Sequence, residues 1–274
     1  MSGPADVLPS RPTEAVDAQG APDVKPPSAA GQSAKYNDVF YKCQCPGSVR
    51  SAQRIVPHVV RLTGCRSVVD VGCGIGTWPR AFIEQGVADV VGVDFHEETG
   101  QLLIPPASFR KMDLHRPVDL GRAFDLVVCL EVAEHLEEEF ADVLVDSLVR
   151  HGPIVLFGAA VPGQGGWSHV NEQWPEYWAA RFRARGLVAV DCIRPRFWED
   201  PDVDYWYSQN TVLYVRQDHM ERHPALASAV AWPSEPIKAI RHPRRLKCIF
   251  TEGVPALLAS IRARIAGAIR RRPK

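Results

Sequence analysis

Long apolar runs are what this chain most plainly lacks: no stretch of about 18 or more apolar residues occurs, which predicts no transmembrane segment. No apolar secretory core is visible near the start either. Excess charge of one sign is also missing, because 32 Lys and Arg balance 32 Asp and Glu. That removes the global field with which a general nucleic-acid binder holds phosphates. Seven cysteines, at 43, 45, 65, 73, 129, 192 and 248, show no paired C-x-x-C spacing, which excludes a zinc ribbon and fits reduced thiols in a cytoplasmic protein. Cys73 and Cys129 lie in apolar runs as small hydrophobes. No internal repeat is present. What remains, 46% hydrophobic and 23% charged residues over 274 positions, is the composition of one globular domain with appendages.

Composition divides the chain. Residues 1–34 are rich in Pro, Ala, Ser and Gly and read as a disordered leader that buries too little to offset its ordering entropy. A domain is expected over 35–220, opening on a helical segment with Ser48 as N-cap and with Pro57 limiting its continuity. Strand and helix signals then alternate: strands at 67–71, 89–94, 108–112, 124–130 and 153–159, helices at 77–86 and 136–150, then a helix at 174–185 and strands at 187–194 and 210–216. Such alternation predicts an α/β fold around a parallel sheet. Residues 221–274 form a basic tail: from Lys238 on, eleven basic side chains face one acid, and Leu257, Leu258, Ile261, Ile265 and Ile269 share a helical face. That helix could meet an anionic membrane peripherally, bind an acidic partner, pack on its own domain or stay solvated.

Chemistry concentrates at the strand ends. The run SVVDVGCGIGTW ends a buried strand in Asp70 and follows it with Gly72, Gly74 and Gly76, a bare turn that can lie against a ligand. A dinucleotide fingerprint would place two residues between the last two glycines; this one has one. A second apolar run ends in Asp94, eighteen residues after Gly76, where open α/β sheets place an acid on ribose hydroxyls. Together these motifs resemble the class I S-adenosylmethionine-dependent methyltransferases, and the later runs E-V-x-E-H-L and H-V-N-E-Q-W are similar to those of bacterial enzymes of small molecules and glycans. The resemblance implies a Rossmann-like seven-stranded sheet, mostly parallel with one antiparallel strand, and S-adenosyl-L-methionine as cofactor.

It also implies roles. Asp70 and the three glycines would face the donor, Asp113 would meet the adenine amino group, and Met112 or Leu114 would line the ring. In AFDLVVCLEVAEHL, Glu131 would face the methionine part, while Glu134 and His135 could form a proton relay or merely cap a helix. The block GAAVPGQGGWSHVNEQWPEYW reads as a mobile loop in which His169, Asn171, Glu172 and Gln173 stand between Trp167 and Trp174. Indole faces pack on the C–H side of sugars, so a small-molecule or glycan acceptor is expected, with His169 as general base for O-methylation. The aromatic run after Trp198 either covers the substrate or packs in the core, and Arg50 and Ser51 are further candidate contacts. Three rivals stay open: N-methylation, a non-catalytic binding module on the same fold, and a metal-dependent RNA 2'-O-methyltransferase, whose E-x-x-E-H plus distant His set Glu131, Glu134, His135 and His169 partly resemble. Neither a bound metal nor nucleic acid is favoured, and the oligomeric state is not specified.

Overall fold

The computed structural model describes residues 38–95, 102–220, 223–229 and 236–248. The expected leader and the amphipathic helix of the tail lie outside them. A long helix, α1 (Asp38–Thr63), precedes the sheet and runs through both Pro46 and Pro57. Ser48 is therefore inside a helix rather than at its cap. An interior proline costs about 3 kcal/mol, and the fully buried face of Ala52, Ile55, Val56 and Val59 offsets it.

Seven strands follow: β1 (Ser67–Val71), β2 (Asp89–Asp94), β3 (Phe109–Lys111), β4 (Leu126–Leu130), β5 (Ile154–Gly158), β6 (Leu187–Val190) and β7 (Val212–Arg216). They form one sheet in the order β3-β2-β1-β4-β5-β7-β6. All neighbours are parallel except that β7 runs antiparallel to both β5 and β6. Side chains alternate between two cores, as strand geometry requires. Val68, Val128 and Leu156 join α1 and α2 (Thr77–Glu84) on one face; Val69, Val127 and Phe157 join α3 (Ala141–His151) and α4 (Pro175–Ala184) on the other. Each fully buried Val or Leu contributes about 1.5–3 kcal/mol. Because β1 lies between β2 and β4, the chain leaves β1 for one edge and returns beside it for the other, and this switch point is where open sheets bind ligands.

Two local expectations are corrected. The helix expected over 136–150 starts only at Ala141, after short 3-10 turns at Ala133–His135 and Glu138–Phe140. The Glu134 carbonyl that a helix would need accepts the amides of Val170 and Asn171 instead, at 2.8 and 3.1 Å. The strand expected over 187–194 stops at Val190, because Asp191 and Arg194 form a fully buried ion pair whose i,i+3 spacing needs a turn, supplied by α5 (Ile193–Phe197). Finally, residues 236–245 pack on the domain: Ile237 is buried in the second core and the Lys238 carbonyl accepts a bond from Arg194.

Candidate active site

A cleft of about 400 Å³ opens at the carboxyl ends of β1, β2 and β4. Its floor on the β1 side is the glycine turn. The amides of Gly72 and Cys73 donate to the Val93 carbonyl at 2.8 and 3.0 Å, and the Gly74 amide donates to Asp94 Oδ2 at 2.8 Å. The turn and the second-strand acid are thus one hydrogen-bonded unit. Gly72 has φ 85°, and a Cβ there would lie 2.3 Å from the Val132 side chain, so only glycine lets the two loops meet.

Across the cleft, Glu131 leaves β4 with φ 56°, a left-handed conformation costing a non-glycine residue about 1–2 kcal/mol. Its carboxylate is held by two amides: Asn210 Nδ2 donates to Oε1 at 2.9 Å and Gln164 Nε2 to Oε2 at 3.1 Å. Burial pushes the Glu131 carboxyl up to about 7, against the opposing pull of hydrogen bonds from Asn210, Gln164 and Glu134. Glu134 is fully buried beside it, with neither carboxylate oxygen in a hydrogen bond of ordinary geometry. Burial first, then the Glu131 charge, raises its pKa well above the carboxylate range.

The third wall is the loop after β5. His169 Nδ1 lies 2.9 Å from Glu172 Oε1, and the same carboxylate accepts the amides of Gly163 and Gly165 at 2.6 and 2.7 Å. Burial alone would raise the pKa of Glu172, but the bonds from His169, Gly165 and Gly163 outweigh it and hold the carboxyl below its usual range. The ring stands edge-on to His135, with centroids 5.0 Å apart. A Cβ on Gly166 would sit 2.2 Å from His169 Nε2, so glycine keeps that nitrogen clear. Glu134, His135 and His169 each bring a ligand atom within 4.8 Å of the others. At the mouth, Trp167 is 60% and Val170 54% exposed.

Among known proteins, a family model described as a methyltransferase domain matches residues 37–187, more than half of the chain. The chain belongs to this methyltransferase family. Curated proteins give no match. Solved structures that resemble this methyltransferase include DesVI of Streptomyces venezuelae (17% identity, 67% of this chain and 98% of that one, TM-score 0.50). Also similar are the sugar N-methyltransferase KedS8 of Streptoalloteichus sp. (18%, 77% and 99%, TM-score 0.50) and the amino pentose methyltransferase CalS10 of Micromonospora echinaspora, solved with S-adenosylmethionine bound (15%, 66% and 98%, TM-score 0.50). The donor of this methyltransferase is S-adenosylmethionine, and the cleft suits it: a bare glycine turn tied to an acid at one end and a buried carboxylate at the other.

Of the residues singled out by sequence, Gly72, Gly74, Asp94, Asp113, Glu131, Glu134, His135 and His169 line one cleft. Asp70, Gly76 and Met112 do not line it. Asp70 is buried within β1, where burial and then the Asp94 charge push its carboxyl well above the usual range. Gly76 caps α2 with φ 91°, and Met112 packs against the second core, leaving Leu114 on the cleft wall. Asp113 Oδ1 is shared with the amide and Nδ1 of His115, at 3.0 and 2.8 Å. Neither Arg50 nor Ser51 lines the cleft; Arg50 faces Asp204 at 3.9 Å and the Ser51 hydroxyl accepts the Asp204 amide. Tyr205, Trp206 and Tyr207 are cleft walls, whereas Trp198 packs against His242 with its ring tilted by 46°. Sequence reasoning missed Gln164, Gln209 and Asn210, neutral amides that no motif marks.

Proposed function

We propose that this methyltransferase methylates a hydroxyl group of a sugar or similar small molecule, with His169 as the general base. The observation that carries the reading is the Glu172–His169 pair at the cleft. When bound, S-adenosylmethionine supplies an electrophilic methyl carbon and departs as a neutral thioether. The chain's residues have three tasks around it. Asp94 and the Gly72–Gly74 turn hold the nucleoside end, with Asp113 and Leu114 beside the adenine. Glu131 faces the cationic methionine end. His169 receives the acceptor proton: a carboxylate at Nδ1 calls for a proton on that nitrogen, which leaves Nε2 the accepting one, beside Gly166. His169 Nε2 would take the acceptor hydroxyl's proton as that oxygen receives the methyl group. Trp167 and the Tyr205–Tyr207 wall supply apolar faces for a sugar ring.

Charge narrows the acceptor. Among the described residues, the cleft lining holds the acids Asp94, Asp113 and Glu137 besides the buried Glu131 and Glu134, and no Lys or Arg. A phosphodiester would meet repulsion there, so a neutral or cationic acceptor is favoured over nucleic acid. The test is incubation with labelled donor and panels of hydroxylated and amino sugars, followed by kinetics of His169→Ala. A loss of kcat of about 100-fold or more on a hydroxyl acceptor is expected. Near-normal turnover on an amine would instead assign N-methylation, and no donor binding at all, or binding indifferent to Asp94→Ala, would assign a non-catalytic module.

The Glu134, His135 and His169 constellation favours a second reading. One carboxylate with two imidazoles is a donor set suited to a divalent transition metal, and a buried carboxylate without ordinary hydrogen bonds fits a ligand. Such an ion would supply Lewis acidity to the acceptor hydroxyl. In that case chelation abolishes activity and a single divalent ion restores it.

A further inference from the structure

The part of the chain that composition sets apart as a basic tail reaches the floor of the cleft. Arg241 donates to the Pro162 carbonyl at 2.7 Å and Arg245 to the Gln164 carbonyl at 3.2 Å, so two arginines grip the backbone of the loop that carries Gln164. Between them the His242 amide donates to Gln209 Oε1 at 2.6 Å. That bond has a polarity. With its oxygen committed to His242, Gln209 must turn its NH₂ inward, where Nε2 donates to Gln164 Oε1 and Asn210 Oδ1, both at 2.9 Å. With their oxygens committed in turn, Gln164 and Asn210 must present NH₂ groups to Glu131, which they do at 3.1 and 2.9 Å. The His242 N–H thereby sets the direction of Gln209 and, through it, supports that of Gln164 and Asn210, with the Val161 amide donating to Gln164 Oε1 at 3.4 Å as a weaker second anchor, and a reversed chain would set carbonyl oxygens against the carboxylate.

We infer that residues 241–245 form a positioning arm for donor binding, acting through Gln209, Gln164 and Asn210 on the Glu131 carboxylate. The inference rests on the reading of Glu131 as the residue that faces the methionine end. The arm lies beyond residue 187, where the family match ends. It converts a flexible carboxylate on a left-handed backbone into a fixed acceptor.

The experiment is titration calorimetry of the full chain with S-adenosylmethionine, for wild type, Glu131→Gln, Gln209→Met and His242→Pro, with folding followed by circular dichroism. Gln209→Met keeps the side-chain volume and removes the relay, and His242→Pro removes the initiating backbone N–H together with the ring and its bonds to Trp198 and Arg244. Each is expected to weaken donor binding about fivefold, the loss of roughly one net hydrogen bond, and Glu131→Gln by at least as much. If Glu131→Gln leaves Kd unchanged, the reading of Glu131 fails and the arm's role with it. If Glu131→Gln weakens binding while the other two bind as wild type, or bind with wild-type Kd at reduced stoichiometry, the arm is structural and the inference alone is overturned. Should one arm variant not fold, the other decides; failure of both to fold places these bonds in the core and also overturns it.

Discussion

Replacing Glu172 by Gln tests whether the His169 pair is chemical or merely part of a loop. The carboxylate accepts three hydrogen bonds, from His169 Nδ1 and the Gly165 amide at Oε1 and from the Gly163 amide at Oε2. A carboxamide of the same shape has one oxygen, so either orientation sets its NH₂ against at least one of these donors. With the amide oxygen on the Gly163 side, NH₂ faces His169 and forces the proton to Nε2, which disables the base. With the oxygen on the His169 side, the tautomer survives but the charge that stabilises the protonated ring is gone. Hydrogen bonds to charged groups contribute about 1.5–3 kcal/mol, and each 1.4 kcal/mol is about tenfold, so kcat is expected to fall about 10- to 100-fold. Glu172 is not on the cleft wall, so the KM for the donor should stay within about twofold of wild type. The assay is steady-state kinetics with donor and acceptor varied separately, alongside thermal melts that separate loss of fold from loss of rate. Wild-type kcat in Glu172→Gln, alongside a large defect in His169→Ala, would refute the pairing argument.

Two further outcomes follow from packing and burial. Gly72→Ala puts a methyl 2.3 Å from Val132 on a backbone with φ 85°, and the sum of left-handed strain and overpacking is about 2–5 kcal/mol; a lower urea midpoint and lost donor binding by calorimetry are expected. Burial, and then the Asp94 charge, pushes the Asp70 carboxyl well above its usual range, so the folded chain keeps a proton to higher pH than the unfolded one does. An acid with a raised folded pKa contributes stability that is full below its unfolded value of about 4 and declines as pH rises from there. Asp70→Asn removes that decline, so its advantage in melting temperature over wild type should grow between about pH 4 and about pH 8; melts at matched ionic strength that show a constant or shrinking difference would count against a neutral Asp70.

The donor half of the cleft was legible because its signals are local. Strand alternation fixes which face each residue takes, a glycine turn must follow the strand end, and the acid eighteen residues on lies on the adjacent parallel strand, where Asp70 pairs with Gly92. The same locality misled at Asp70, since period two buries that side chain within the sheet and leaves the glycine turn, rather than the acid, along the cleft. At Ser48 and at 136–150 the local pattern lost to distant partners: the Ser48 and Tyr207 hydroxyls meet at 2.9 Å, and the acceptor loop takes the Glu134 carbonyl.

The other half of the cleft is built from pairings that no period encodes. Glu131 meets Gln164 across 33 residues and Asn210 across 79, and Gln209 meets His242 across 33. Neutral amides carry no charge pattern and no moment, so nothing in composition separates these from any other Gln or Asn. What sequence does offer is the clash it leaves unresolved: carboxylates at 131 and 134 on one strand end, with no Lys or Arg near them in the chain. Buried acids without cations must either keep a proton or gather neutral N–H donors. Here Glu131 has gathered side-chain N–H donors, while burial and the Glu131 charge push the Glu134 carboxyl well above the usual range and favour its protonated form. That asymmetry supports the proposed roles, in which Glu131 faces the donor and Glu134 would give up its proton to an incoming cation, whether metal or substrate.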